Sequence, residues 1–160
     1  LIKDGVLAED EKQKMELWAR REGIPEACSH QGGQVHKFDL SFPAARYYDL
    51  VPLLREHAAV LEGRIKVFGF GHVGDGNIHI NLVALKHHNE DHREEIKMIS
   101  EFIFDWTSRN GGSISAEHGI GQAKLKELSL SKGPVEIDLM RSFKSLLDPY
   151  GILNPGKVLI

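Results

Sequence analysis

Two runs of alternating apolar and polar residues, 65–72 (IKVFGFGH) and 77–83 (NIHINLV), meet around Asp75-Gly76. A period of two is the mark of a strand with one buried face. Asp-Gly between two such runs is among the strongest short-range signals for a β-hairpin. A hairpin alone is barely stable in water and needs more strands or a helix layer against its apolar face. Residues 35–40 (VHKFDL) alternate as a further strand and 113–117 (SISAE) as another.

Helical patterns fill the intervals. Residues 8–22 are rich in Glu, Lys, Ala and Leu and predict a helix, which Gly23 and Pro25 re-angle into a short second stretch over 26–29. Pro43 opens a predicted helix running to Leu61, with Tyr47, Leu50, Val51, Leu54, Ala58 and Leu61 on one stripe and Gly63 beyond its end. A further helix is expected from about Asn89 to Asn110, with Ile96, Ile99, Phe102, Ile103 and Trp106 facing inward and Gly111-Gly112 stopping it. A short helix over 122–128, a last one from Pro134 to Leu147 and an extended tail (DPYGILNPGKVLI) complete the chain. From 35 to 117 the order is strand, helix, strand, strand, helix, strand. That predicts an α+β fold with a ferredoxin-like βαββαβ antiparallel sheet, helices on one face, and extra helices at both ends.

Composition narrows the function classes. With 160 residues, 41% apolar and 27% charged, the chain reads as one domain over 1–160. A formal charge of −3 with scattered Lys and Arg gives no footprint for a nucleic-acid backbone or an anionic membrane, which leaves small-molecule chemistry. No apolar run approaches a membrane span, and Cys28 alone cannot form an internal disulfide, so a reducing compartment is expected. The chain opens at Leu1 without an initiator Met and reads as a fragment.

Strand parity separates two faces. Phe38, Leu40, Ile78, Ile80, Leu82, Ile114 and Ala116 should point toward the helices, while Lys37, His79, Asn81, Ser113, Ser115 and Glu117 collect on the other side. If Asp75 and Gly76 are the two central turn residues, His72 lies directly opposite His79, with Cβ atoms about 4.5–5.5 Å apart. Two imidazoles could then share a cation. Glu117 is the natural third ligand, followed at once by His118; two His and one carboxylate with open positions suit Zn²⁺, Fe²⁺ or Mn²⁺ at a catalytic site. In the usual strand order, however, Glu117 must reach across an intervening strand. Two other motifs compete. Gly69, Gly71 and Gly74 match G-x-G-x-x-G, but a strand rather than a helix follows, so no helix N-terminus awaits a pyrophosphate. His87, His88 and His92 form a second histidine cluster at a helix start, without an acidic ligand in register.

The segments GFGHVGDGNIHINL, GGSISAEHGIG and LLDPYGILNPGKVL, together with ELWARREGIPEA, VHKFDLSFP and FDWTSRNGGS, resemble the C-terminal region of the FAD-linked oxidases of the vanillyl-alcohol oxidase type, most closely the D-2-hydroxyglutarate and D-lactate dehydrogenases. The resemblance implies a divalent metal, typically Zn²⁺, held by His72, His79 and Glu117, with His118 as the catalytic base. It implies that Arg21, Lys37 and Asn81 hold the carboxylate and oxygen groups of a small 2-hydroxy acid. It further implies FAD bound mainly by a flavin domain of the same full-length protein, with Asn154 in the NPGKVL segment as a residue facing that cofactor. The electron acceptor would be an electron-transfer flavoprotein or a quinone, and the location the mitochondrial matrix in a eukaryote or the cytoplasm in a bacterium. Pro25 stands where that family can place a hydroxyl-bearing substrate contact, which leaves the acid's identity open. The chain by itself is expected to bind metal weakly, to bind no FAD tightly and to be inactive. Two further readings of the same residues are a non-haem iron oxygenase built on His72, His79 and Glu117, though Gly74 occupies the position where such sites commonly carry a carboxylate, and a non-catalytic protein-interaction module using the open sheet face.

Overall fold

The computed structural model describes residues 5–31, 33–61, 63–85 and 92–159. Its centre is a three-stranded antiparallel sheet of β1 (Gln34–Ser41), β2 (Ile65–His72) and β3 (Asn77–Ala84) in the order β1-β3-β2. Helices α1 (Glu11–Glu22) and α2 (Ile24–Ser29) precede the sheet, α3 (Leu50–Ala59) links β1 to β2, and α4 (Arg93–Arg109), α5 (Leu128–Ser131) and α6 (Pro134–Leu147) follow.

The helix side carries the core. Leu40, Ile78, Ile80 and Leu82 are fully buried, Phe38 nearly so, and they pack with Leu50, Val51 and Leu54 of α3 and Ile96, Ile99 and Ile103 of α4. Each such side chain removed from water contributes roughly 1.5–3 kcal/mol. Gly69 and Gly71 lie on this side of β2 for a steric reason. A Cβ on Gly69 would come within 2.5 Å of Val51 Cγ2, and one on Gly71 within 2.2 Å of the Asn77 carbonyl oxygen and 2.9 Å of Tyr47 Oη. The two glycines thus let the chain before α3 approach bare strand backbone, and they have no phosphate-cradling geometry.

Several expectations are corrected. The hairpin is not closed by two residues: β3 pairs with β2 so that His72 faces Asn77 and Phe70 faces His79, leaving 73–76 as the connection. Asp75 Oδ1 accepts the Asn77 N–H at 3.0 Å, and the Gly76 carbonyl accepts the Phe42 N–H at 3.0 Å. These bonds draw the turn over the end of β1 and hold it four residues long. The fourth strand does not form. Residues 113–117 touch the sheet through one antiparallel bridge, Ser41 to Ser113, and then leave it, so the ferredoxin-like sheet is not completed and Ala116 is exposed while Ile114 is buried. Pro43 is followed by a short 3₁₀ turn (Ala44–Arg46), and α3 starts only at Leu50. Pro52 explains the late start, since a residue without an N–H is tolerated only in a helix's first turn. Over 122–127 the backbone forms turns, between two glycines of positive φ (Gly119 and Gly121) and α5, and only Leu128 of the expected stretch is helical. The helix expected from Asn89 is described from Arg93; Asn89, His87 and His88 lie outside the described residues. The open face is not bare either: α2 packs against β1 and β3, with Cys28 buried beneath it.

Candidate metal and substrate site

The open face is assembled from the alternate residues of the same strands. Across the sheet, Lys37 pairs with Asn81 and Asn81 with Phe68; Asp39 pairs with His79 and His79 with Phe70; Ser41 pairs with Asn77 and Asn77 with His72. His72 and His79 are therefore diagonal rather than opposite, yet they share a face, and their rings meet edge-on with centroids 5.3 Å apart.

Glu117 joins them from the segment that leaves the sheet after Ser113. Its Oε1 lies 3.0 Å from His72 Nδ1 and its Oε2 3.8 Å from His79 Nε2. The difficulty of reaching past β1 is resolved by Asp39. Its side chain is fully buried, and its Oδ2 accepts the backbone N–H groups of Glu117 at 2.7 Å and His118 at 2.8 Å, while Oδ1 accepts Asn77 Nδ2 at 2.7 Å. The chain is thereby bent across β1 toward β3. His118 follows, its ring stacked on that of His79 at 5.8 Å and 16°. Asp39, His79, Glu117 and His118 offer donor atoms all within 4.8 Å of one another.

Electrostatics follow from this packing. Burial, the largest single influence on Asp39, pushes its carboxyl up, but the His118 and Glu117 N–H groups, the Asn77 amide and the charge of His118 together bring it below the usual carboxylate range. Burial lowers the His79 imidazole; Asp39 and Glu117 pull it back up, without cancelling the shift. The net shift favours the neutral imidazole, the form that ligates a metal. Lys124, also lowered by burial, donates to the Ile114 carbonyl at 3.0 Å behind the segment.

Beside these groups lies a cavity of about 180 Å³ lined by Pro25, Lys37, Phe70, His79, Asn81 and His118. Asn81 is 2% exposed, and its amide nitrogen Nδ2 has no hydrogen-bond partner among the described residues. A buried donor without a partner is costly unless something arrives to accept from it, which fits an oxygen-bearing ligand. Arg21 is close but turned aside: its Nη2 donates to the Gly71 carbonyl at 3.3 Å and its guanidinium sits 5.5 Å above the Phe70 ring. Asn154, exposed and with a φ of 44°, has its carbonyl bonded by the Lys157 N–H; none of the described contacts brings it to the cavity. His92 stands at the N-terminus of α4, outside the cluster. The structure therefore gathers His72, His79, Glu117 and His118 and sets Lys37 and Asn81 at the cavity. Sequence reasoning missed Asp39 and Phe70. Both were available: Asp39 shares the parity of Lys37 in VHKFDL, and Phe70 that of His72.

Two imidazoles and a carboxylate are a borderline donor set suited to a divalent transition-series or zinc ion, so the residues present fit such a metal. The family pattern described as FAD linked oxidases, C-terminal domain, matches residues 1–158. The mitochondrial D-2-hydroxyglutarate dehydrogenase of Arabidopsis thaliana is 45% identical over 159 residues, covering 99% of this chain and 27% of the relative. That of Rattus norvegicus is 45% identical over 160 residues, covering 99% and 28%. A mitochondrial protein of Schizosaccharomyces pombe named for D-lactate dehydrogenase activity is 42% identical over 165 residues, covering 98% and 31%. The chain thus spans between a quarter and a third of the length of these relatives. With a match running through the sheet, the clustered histidines and the C-terminal segment alike, this chain belongs to the FAD linked oxidases, within their C-terminal domain.

Proposed function

We propose that the chain is the substrate- and metal-holding part of an FAD-dependent D-2-hydroxy-acid dehydrogenase that oxidises D-2-hydroxyglutarate or D-lactate to the 2-oxo acid. One observation carries the reading: His72, His79 and Glu117 each lie in contact with the other two, beside a cavity whose wall includes Lys37, an unpartnered Asn81 amide and His118. The names of the relatives support the substrate class and a mitochondrial location for a eukaryotic source; the matrix, or the cytoplasm for a bacterial source, is what the family resemblance implies.

His72, His79 and Glu117 would hold the cation, Zn²⁺ being the expected ion; when bound, it supplies Lewis acidity that makes a nearby hydroxyl easier to deprotonate. Lys37 offers a point charge to a carboxylate, and Asn81 Nδ2 donates to a substrate oxygen. Arg21 can grip a second carboxylate in bidentate fashion once it releases the Gly71 carbonyl. His118, stacked along His79 at the cavity wall, takes the proton from the 2-hydroxyl, a task for which imidazole is suited near neutral pH. FAD would be held mainly outside this chain, with Asn154 as a contact, and when bound would supply the hydride acceptor; an electron-transfer flavoprotein or a quinone would re-oxidise it. Pro25, Phe38 and Phe70 line the remaining wall with apolar surface.

The test uses the full-length protein, with metal analysis and titration of D-2-hydroxyglutarate and D-lactate. His118→Ala should lower turnover by about 10²–10⁴-fold, the usual range for removing a general base, with metal content unchanged. Retention of metal by a His72→Ala, His79→Ala, Glu117→Ala triple variant would refute the ligand assignment. Turnover of His118→Ala close to wild type would refute the base.

A further inference from the structure

Asp39, a carboxylate wholly enclosed beneath the site, has no part in the proposed chemistry. Asp39 makes three hydrogen bonds of 2.7–2.8 Å, and two of them end on the consecutive backbone amides of Glu117 and His118. Before those residues the segment is held by one bridge at Ser113, by the buried Ile114 and by the Lys124 bond to the Ile114 carbonyl, but it forms no strand and exposes Ala116, Glu117 and His118. Asp39 also lies across from His79 in the β1–β3 ladder, with Oδ1 3.6 Å from His79 Nδ1, the ring nitrogen turned away from Glu117. One carboxylate is therefore common to the anchoring of a metal-ligand candidate, the proton acceptor and the flank of a second ligand.

We infer that Asp39 is a positioning residue that fixes the Glu117–His118 backbone over the cation and substrate site. The inference rests on the proposed function for what the site does, but the clamp itself is a property of the chain. Its chemistry is specific. Asp39 Oδ2 accepts twice and Oδ1 once, a pattern that an ionised carboxylate, acceptor-only at both oxygens, meets in full. In Asp39→Asn one of the two positions becomes an NH₂ group, and whichever way the amide turns, donors face donors. Outer-shell partners of this type typically change metal affinity by about 10–100-fold when removed.

The experiment compares wild type, Asp39→Asn and Ile103→Val in the full-length protein; the last loosens the core on the opposite side of the sheet, where Ile103 is fully buried. Two readouts are taken: amide hydrogen exchange of Glu117 and His118 without added metal, and Zn²⁺ affinity by competition with a chromophoric chelator. Asp39→Asn should accelerate exchange at those two amides more than at the β2–β3 ladder, and weaken Zn²⁺ binding about 10–100-fold. Ile103→Val should do neither selectively. Unchanged exchange at Glu117 and His118 in Asp39→Asn would overturn the clamp. So would a loss of protection spread equally over the sheet. If wild type takes up no Zn²⁺, the metal reading fails, while the exchange data still decide the role of Asp39.

Discussion

The two faces of one sheet divide the labour of this molecule. On the helix side, Leu40, Ile78, Ile80 and Leu82 are sealed among aliphatic neighbours. One residue along each strand, the other side presents an exposed Lys37 and, deeper in, Asp39, Asn77, His79 and Asn81, polar groups that cost stability to bury. The same backbone thus carries a layer that holds the fold and a layer that holds chemistry. Loss on the first should be felt as unfolding, loss on the second as lost binding.

The sharpest way to break that division is Ile80→Ala. It should lower unfolding stability in urea by about 2–5 kcal/mol and leave Zn²⁺ affinity of the folded protein within a few-fold of wild type; a large drop in affinity would mean that the faces are not separable. Asn81→Leu is the mirror experiment. Removing a buried amide whose Nδ2 has no partner should change stability by less than about 1 kcal/mol or raise it, while the KM for a 2-hydroxy acid rises. A fall in stability of several kcal/mol would show instead that Asn81 belongs to the fold. The smallest effect sharpens the point outside the sheet. Asp148, buried at the end of α6, accepts the N–H groups of Ile152 and Leu153 and the Lys144 amine at 2.5 Å. Lys144 foremost, with the two N–H groups, holds its carboxyl below the usual range. A carboxylate with a depressed folded pKa contributes above its unfolded value and loses that contribution as pH falls through the folded one. Protection of the Ile152 and Leu153 amides should therefore decline on acidification below the ordinary carboxylate range. Constant protection there would remove Asp148 as the anchor.

Much of the architecture was legible because it depends on local pattern. The Pro134–Leu147 helix has the limits expected from its proline and its apolar spacing, and the strands containing His72, His79 and Lys37 fall where alternation puts them. What pattern could not supply was long-range capture. SISAE alternates like a strand, yet Asp39, 78 residues before Glu117, takes the backbone N–H groups there and leads the chain off the sheet edge. Asp-Gly signals a tight turn, yet the Gly76 carbonyl is claimed by Phe42. In both places a single distant partner outweighs the local preference, and the first of them builds the site.

Gly71 ties the layers together more closely than their chemistry suggests. A methyl group there would press on the Asn77 carbonyl from the helix side, and the Asn77 amide is one of the three supports of Asp39. The smallest side chain added among aliphatic residues would thus be transmitted through one peptide unit to the opposite surface. Substitution at this strand position is constrained by the site on the opposite face as well as by the core that the new side chain would enter.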